Sequence, residues 1–266
     1  MDLVSFTHVV LDGSLSDRAA AFWGRALNGS WRPAAPGAGP GLATSLVQVN
    51  GDSYVHRAPH DATAPALLLE VADVPGTARR LLDLGATRDA LAGTGDPSSD
   101  EGSGEGSGED RDPEGASVGL RSPGGLPFAL TLARTHRRAP AARWKDGNSS
   151  RLVQVCLDCP ADRAQAEAEF WRDATGWVWE DSDSAEFVCH LVPSSGSLQL
   201  LVQRRDSPEP PYVTLHLDLG ATDRESEADR LLMLGAARVA TGDGWILLQD
   251  PDGGTFCATG QPPEAP

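Results

Sequence analysis

The chain has 266 residues, 40% of them hydrophobic, which suits one or two globular domains and excludes disorder over most of its length. Its 38 acidic and 22 basic residues give a formal charge of −16. Such a surface repels nucleic acid and anionic lipid, so neither is expected as a partner; it would attract a cationic small molecule, although solubility alone also accounts for it.

The first residues, MDLVSFTHVVLDG, lack a basic stretch followed by a long apolar one, and no segment approaches ~20 consecutive apolar residues. A cytoplasmic protein is expected. The opening segment reads as a strand carrying His8, followed by Asp17-Arg18 and a helix bearing Phe22-Trp23. Next come Leu67-Leu-Leu-Glu-Val71, a strand, and a helix that has Pro75 in its first turn and ends at the capping Gly85. Residues 96–114, DPSSDEGSGEGSGEDRDPE, hold no apolar residue. They cannot bury enough surface to offset their ordering entropy and are expected to form a disordered acidic insertion within 95–116; the alternative, a calcium loop, is disfavoured because the acid spacing matches no EF-hand loop. A Pro-Gly turn from Ser122 leads into a strand at Phe128, and residues 136–150 read as a polar linker.

The second half repeats these elements. Gln154-Val-Cys-Leu-Asp158 answers His8-Val-Val-Leu-Asp12, Asp162-Arg163 answers Asp17-Arg18, and Phe170-Trp171 answers Phe22-Trp23. Residues 215–219, LHLDL, answer the strand at 67–71 and lead to a helix ending at Gly235, with Thr222 and Glu225 spaced as a capping box. Asp250-Pro-Asp-Gly-Gly-Thr-Phe256 answers the turn at Ser122. Each half therefore orders as two βαβββ units, an α+β class in which helices cover one face of a sheet and the other face curls around a pocket.

Several residues invite chemistry. Trp23 and Trp171 hold equivalent helix positions and should pack rather than bind, whereas Trp177 and Trp179 alternate as on a strand, so that one of them could line a pocket. The four cysteines should be free thiols. Cys156 and Cys159 have a redox spacing, but the first lies in a strand, the second precedes Pro160, and no second pair completes a zinc ribbon. Cys189 and His190 point to opposite faces of a strand and cannot cooperate. No phosphate-binding glycine loop or nucleophile elbow is present in the sequence.

The repeated order, with D-P-x-G-x-x-F closing the second half, resembles the vicinal oxygen chelate superfamily of glyoxalase I, extradiol dioxygenases and bleomycin-resistance proteins. The chain looks like its actinobacterial members with two fused glyoxalase-like domains. The resemblance implies two tandem domains, 1–135 and 151–262, each a pair of βαβββ modules with a curved mixed or antiparallel sheet around a pocket. In the superfamily's enzymes a His or Gln, a Glu, a His and a final Glu hold one divalent metal. Carried over to the second half, the first position is Gln154, the third His216 and the fourth Cys257. The second falls in 198–203, where Gln199 and Gln203 are the only polar residues. In the first half His8 takes the first position, while Ala66 and Ala129 take the third and fourth.

With both carboxylates missing from those positions, no metal cofactor is expected; zinc at Gln154, His216 and Cys257 is the lesser alternative. The candidate ligand-binding residues are Gln154, His216, Cys257, Gln203, Trp179 and His8, with no catalytic residue assigned. The expected function is metal-free binding or sequestration of a small molecule, one that could be cationic, in the second-domain pocket. The alternatives are a metal-dependent lyase, isomerase or dioxygenase using that domain, and a non-catalytic scaffold.

Overall fold

The computed structural model describes residues 2–35, 39, 42–52, 54–60, 64, 66–89, 117–194, 196–207 and 209–264. The acidic run 96–114 lies outside them.

The first half runs β1 (Val4–Leu11), α1 (Asp17–Ala26), β2 (Gly29–Pro33), β3 (Thr44–Gln48), β4 (Val55–Arg57), then β5 (Leu67–Val71), α2 (Val74–Asp83), β6 (Thr87–Arg88), β7 (Val118–Arg121) and β8 (Pro127–Leu132). After β9 (Ala142–Arg143), the second half repeats the order: β10 (Ser149–Pro160), α3 (Ala164–Thr175), β11 (Val178–Asp181), β12 (Phe187–Val192), β13 (Gln199–Arg205), then β14 (Thr214–Ala221), α4 (Arg224–Leu234), β15 (Ala237–Thr241), β16 (Trp245–Gln249) and β17 (Thr255–Thr259). Each half folds into its own sheet, ordered β2-β3-β4-β1-β5-β8-β7-β6 and β11-β12-β13-β10-β14-β17-β16-β15. The central strands of the two modules pair antiparallel, β1 with β5 and β10 with β14. The fold is α+β with four βαβββ units, as the repeat implied. No helix among the described residues is long and apolar enough to cross a membrane.

Local chemistry sets the helix ends. Ser16 caps α1 by accepting from the Ala19 N–H, Asp73 caps α2 from the Gly76 N–H, and Asp223 caps α4 from the N–H groups of Glu225 and Ser226. The capping box expected at Thr222 and Glu225 is therefore not formed. Asp223, one residue later, takes the role, and Thr222 Oγ1 instead donates to Asn148 Oδ1 at 2.7 Å.

The strand correspondence read from sequence also shifts. Leu217 lies opposite Phe256 as Leu67 lies opposite Phe128, so β5 corresponds to residues 217–221 rather than 215–219. Leucines at both offsets made the two alignments equally apolar. The segment 136–150 is not a free tether: β9 and the first residues of β10 pair with each other inside it, and the Arg137 N–H donates to Asp52.

The two halves clasp each other through their helices. Phe22 and Trp23 of α1 pack on Phe256 of the second half, with ring centroids 5.6 and 5.1 Å away. Phe170 and Trp171 of α3 pack on Phe128 of the first half, at 6.3 and 5.2 Å. Trp23 Nε1 donates to Asp250 Oδ2 at 2.9 Å, while in the reciprocal contact the Gly124 N–H donates to Glu167 Oε2 at 2.8 Å. Gly124 must be glycine here, since an added Cβ would stand 2.4 Å from Val213 Cγ2. Both Trp residues thus pack, as expected of them, but against the closing turn of the opposite half.

Candidate functional site

Strand alternation aims one side chain in two away from the helices. In the second half this places Gln154, Cys156 and Asp158 of β10 on one wall, with Thr214, His216 and Asp218 of β14 beside them. Gln203 of β13, Cys257 of β17, and Phe187, Leu201, Trp245 and Leu247 complete a cavity of about 700 Å³. Register fixes the contacts: Gln154 lies opposite Asp218, Cys156 opposite His216, and Asp218 opposite Cys257.

Polar contacts in the cavity centre on His216. Its Nδ1 lies 2.7 Å from Asp158 Oδ2, and its Nε2 lies 3.3 Å from Asp218 Oδ1 and 3.6 Å from Cys257 Sγ. Gln154 Nε2 donates to Asp218 Oδ2 at 2.6 Å, so Asp218 bridges Gln154 and His216, which do not bond to each other directly. The 3.3 Å approach is an ion pair without hydrogen-bond alignment. Asp218 Oδ1 and Gln154 Oε1 remain buried acceptors with no hydrogen-bond partner.

Burial alone would disfavour the His216 imidazolium, yet Cys156, the bond to Asp158 and the close Asp218 carboxylate raise its pKa well above the ordinary range. The two carboxylates carry that shift, because burial also raises the Cys156 pKa and keeps it a thiol, with Sγ donating to Gln203 Oε1 at 3.3 Å. Burial likewise raises Cys257, against the opposing pull of His216.

The structure brings Gln154, His216, Cys257 and Gln203 together and leaves out the other two residues singled out by sequence. Trp179 does not line the cavity: it sits on the edge strand β11, where Nε1 donates to Asp181 Oδ1 at 2.7 Å. His8 belongs to the first half. Gln199 is also turned aside, its Oε1 accepting from Gln261 Nε2 at 2.9 Å.

The larger correction concerns the carboxylates. They are absent from the superfamily's usual positions but not from the site, where Asp158 and Asp218 both touch His216. Residues two or four steps apart along a strand share its face, which was the available signal for Asp158 from Gln154 and for Asp218 from His216.

In the first half the same face is filled. Val10, Ala58, Leu68 and Ala129 form a buried cluster, against which Leu42 and Ala64 pack. The backbone passes so close that a Cβ on Gly39 would lie 2.8 Å from Leu68 Cδ1. Among the described residues, polar groups collect at one end, where His8, His56, Glu70 and His136 meet. Bonds from His136, His8 and the Arg134 N–H outweigh burial and hold the Glu70 carboxyl down to about 2, while burial, with His8 adding to it, pushes His56 down to about 3. Sequence reading found His8 and missed the other three residues.

Residues 154–259 match the glyoxalase-like domain family. Both halves share the fold of the vicinal oxygen chelate superfamily, and solved structures resemble the chain over nearly its whole length. A Mn(II)-bound glyoxalase from Novosphingobium aromaticivorans superposes with a TM-score of 0.61 at 17% identity, covering 97% of this chain and 83% of that one. The 2,3-dioxygenase LapB from Pseudomonas sp. KL28 gives 0.57 at 14% identity, covering 97% and 93%. A variant of homoprotocatechuate 2,3-dioxygenase from B. fuscum gives 0.55 at 13% identity, covering 98% and 71%. At these identities the likeness is one of fold. No curated protein matches the chain.

Proposed function

We propose that the glyoxalase-like second domain binds a small organic molecule bearing a cationic or amide N–H group, without a metal. The observation that carries this reading is Gln154 Oε1, a buried acceptor with no hydrogen-bond partner, beside Asp218 Oδ1, which has the His216 ion pair but no hydrogen bond, on the wall of a cavity of about 700 Å³. An unsatisfied buried acceptor costs about 1–3 kcal/mol, which a ligand N–H recovers. Phe187, Leu201, Trp245 and Leu247 offer apolar surface for the remainder of the molecule. The volume lies within the usual ~300–1,000 Å³ of small-molecule sites. The His216 imidazolium between Asp158 and Asp218 supplies the positive charge a metal would bring, and a metal would have to displace that proton. All four cysteines are free thiols, which suits a reducing compartment such as the cytoplasm.

The test is a thermal-shift series on one carbon skeleton carrying an amine, an acetylated amine or a carboxylate. The amine should raise the melting temperature of the wild type and not of Asp218→Leu. Stabilisation by the carboxylate instead, or by none of the three, defeats the reading.

One observation favours a metal-dependent enzyme as the second reading. His216 Nε2, Asp218 Oδ1 and Cys257 Sγ lie within 4.8 Å of one another, and Asp158 backs His216 Nδ1. That mixed donor set fits zinc better than magnesium or manganese. Bound there, zinc would supply Lewis acidity toward a substrate oxygen. Gln154 would orient the substrate's polar end, and Asp158 would hold the His216 ring. Stoichiometric zinc lost on Cys257→Ser would establish this second reading over the first.

A further inference from the structure

Four polar side chains at one end of the first-half sheet face have no role in the second-domain pocket. His8 Nε2 lies 3.0 Å and His136 Nε2 2.8 Å from the same oxygen, Glu70 Oε1. The other carboxylate oxygen accepts from the Arg134 N–H at 2.9 Å, which fixes the plane of the group. Both rings are also held from behind. His8 Nδ1 meets His56 Nε2 at 3.0 Å, with Ser45 Oγ 2.8 Å from His56 Nδ1, and His136 Nδ1 faces Asp52 at 3.6 Å. Phe6 stacks on the His136 ring with centroids 3.9 Å apart.

We propose that His8, Glu70 and His136 form a two-histidine, one-carboxylate site for a borderline divalent ion such as Zn²⁺. Two ligands on a tetrahedral zinc with bonds of about 2.0–2.1 Å stand roughly 3.3 Å apart, so the observed spacings need to open by only a few tenths of an ångström. Imidazoles whose rear nitrogens are held by other polar groups are the usual arrangement around such ions, since those partners set ring orientation. The three side chains are 5%, 3% and 15% exposed, and the least buried, His136, opens onto a cavity of about 280 Å³ shared with Arg134 and Arg138. That gives the ion a way in and its remaining coordination position room for water or an anion.

The site is not a copy of the superfamily's metal positions. Only His8 stands at one of them. Glu70 corresponds to Gly220 in the second half, and His136 lies beyond β8. Burying this polar group in an otherwise apolar sheet face costs stability unless its members are well partnered, and a bound ion would partner three at once.

The experiment is zinc titration of the chelator-stripped full-length protein under competition with a metal indicator, repeated with Co²⁺ as a spectroscopic probe. The expected result is one tight zinc per chain that survives His216→Ala. Glu70→Gln or His136→Gln should weaken it more than about 100-fold, and His56→Ala, which removes an outer partner, about 10–100-fold. The Co²⁺ spectrum should show ligand-field bands without thiolate charge transfer. If Glu70→Gln fails to fold, His136→Gln, in the more exposed position, carries the test. Absence of tight zinc in the wild type overturns the proposal. So does loss of zinc with His216→Ala, or a thiolate band, either of which would locate the ion in the second-domain pocket.

Discussion

The two halves share a topology and differ on one face. Equivalent strand positions read Val10, Ala58, Leu68 and Ala129 in the first half and Cys156, Gln203, Asp218 and Cys257 in the second. In the first half these side chains close on one another and on Leu42; in the second they stand apart around a cavity. The helix-facing residues of both halves stay apolar and buried. The fold is therefore held by one set of alternate positions, and the other set is free to be core or site. A handful of substitutions on that second set separates a filled domain from an open one.

Exchanging residues between the halves should break this relation most visibly. Leu68→Asp places the carboxylate of Asp218 on the filled face, where His8, already bonded to Glu70 and His56, stands in place of Gln154, and Ala66 in place of His216. An unpaired buried charge of this kind costs about 3–5 kcal/mol, read as a lower urea midpoint. The reverse exchange, Asp218→Leu, breaks the pair with His216 and frees the Gln154 Nε2 donor, but beside a cavity that water can enter, so it should cost less, about 1–3 kcal/mol. Equal losses would mean the two faces are not distinguished as described.

Ligand binding should show a smaller effect confined to the second half. Asp218→Asn keeps the shape and removes the charge, so affinity for an amine should fall by about 1.5–3 kcal/mol, the worth of a hydrogen bond to a charged group. Calorimetry would measure it, and Leu68→Ala, in the other half, should leave the affinity unchanged.

The pH dependence sharpens the comparison further. His216 has a raised folded pKa, so its contribution to stability is complete below its unfolded pKa of ~6.5 and is lost as pH rises through the folded value. The melting temperature should decline over that alkaline interval and lose this component in His216→Gln. An unaltered profile in the variant would show that the Asp158–His216–Asp218 cluster does not hold the proton. The smallest expected effect is chemical. Burial raises the pKa of Cys156, Cys159, Cys189 and Cys257, so a thiol reagent at pH 8 should react with none of them until the chain unfolds.

Much of the fold was legible because its signals are local and duplicated. The Phe22-Trp23 and Phe170-Trp171 pairs, the capping glycines and the closing turns fixed the order of elements twice over. The site was half legible. Gln154, His216, Cys257 and Gln203 followed from positional correspondence, but matching a ligand set to fixed positions hid Asp158 and Asp218, which reach the same histidine from other rungs of the ladder. Trp179 instead packs against the core on the helix-facing side, with Arg172 of α3 near its ring, because alternation alone does not say which face of a strand is the concave one. Glu70, His56 and His136 had no local signal at all. They converge only through sheet register and the path of the chain after β8.

The reciprocal clasp of α1 on Phe256 and α3 on Phe128 bears on how the chain comes apart. Each half keeps part of its hydrophobic support inside the other, so neither is a self-sufficient folding unit. Melting should be a single event even though the sequence is duplicated, and a ligand held by the second half should protect amide hydrogens in the first. Expressed as two separate polypeptides, the halves should rebuild the whole by association, much as two subunits form a dimer, because the contacts between them do not depend on the peptide that joins them.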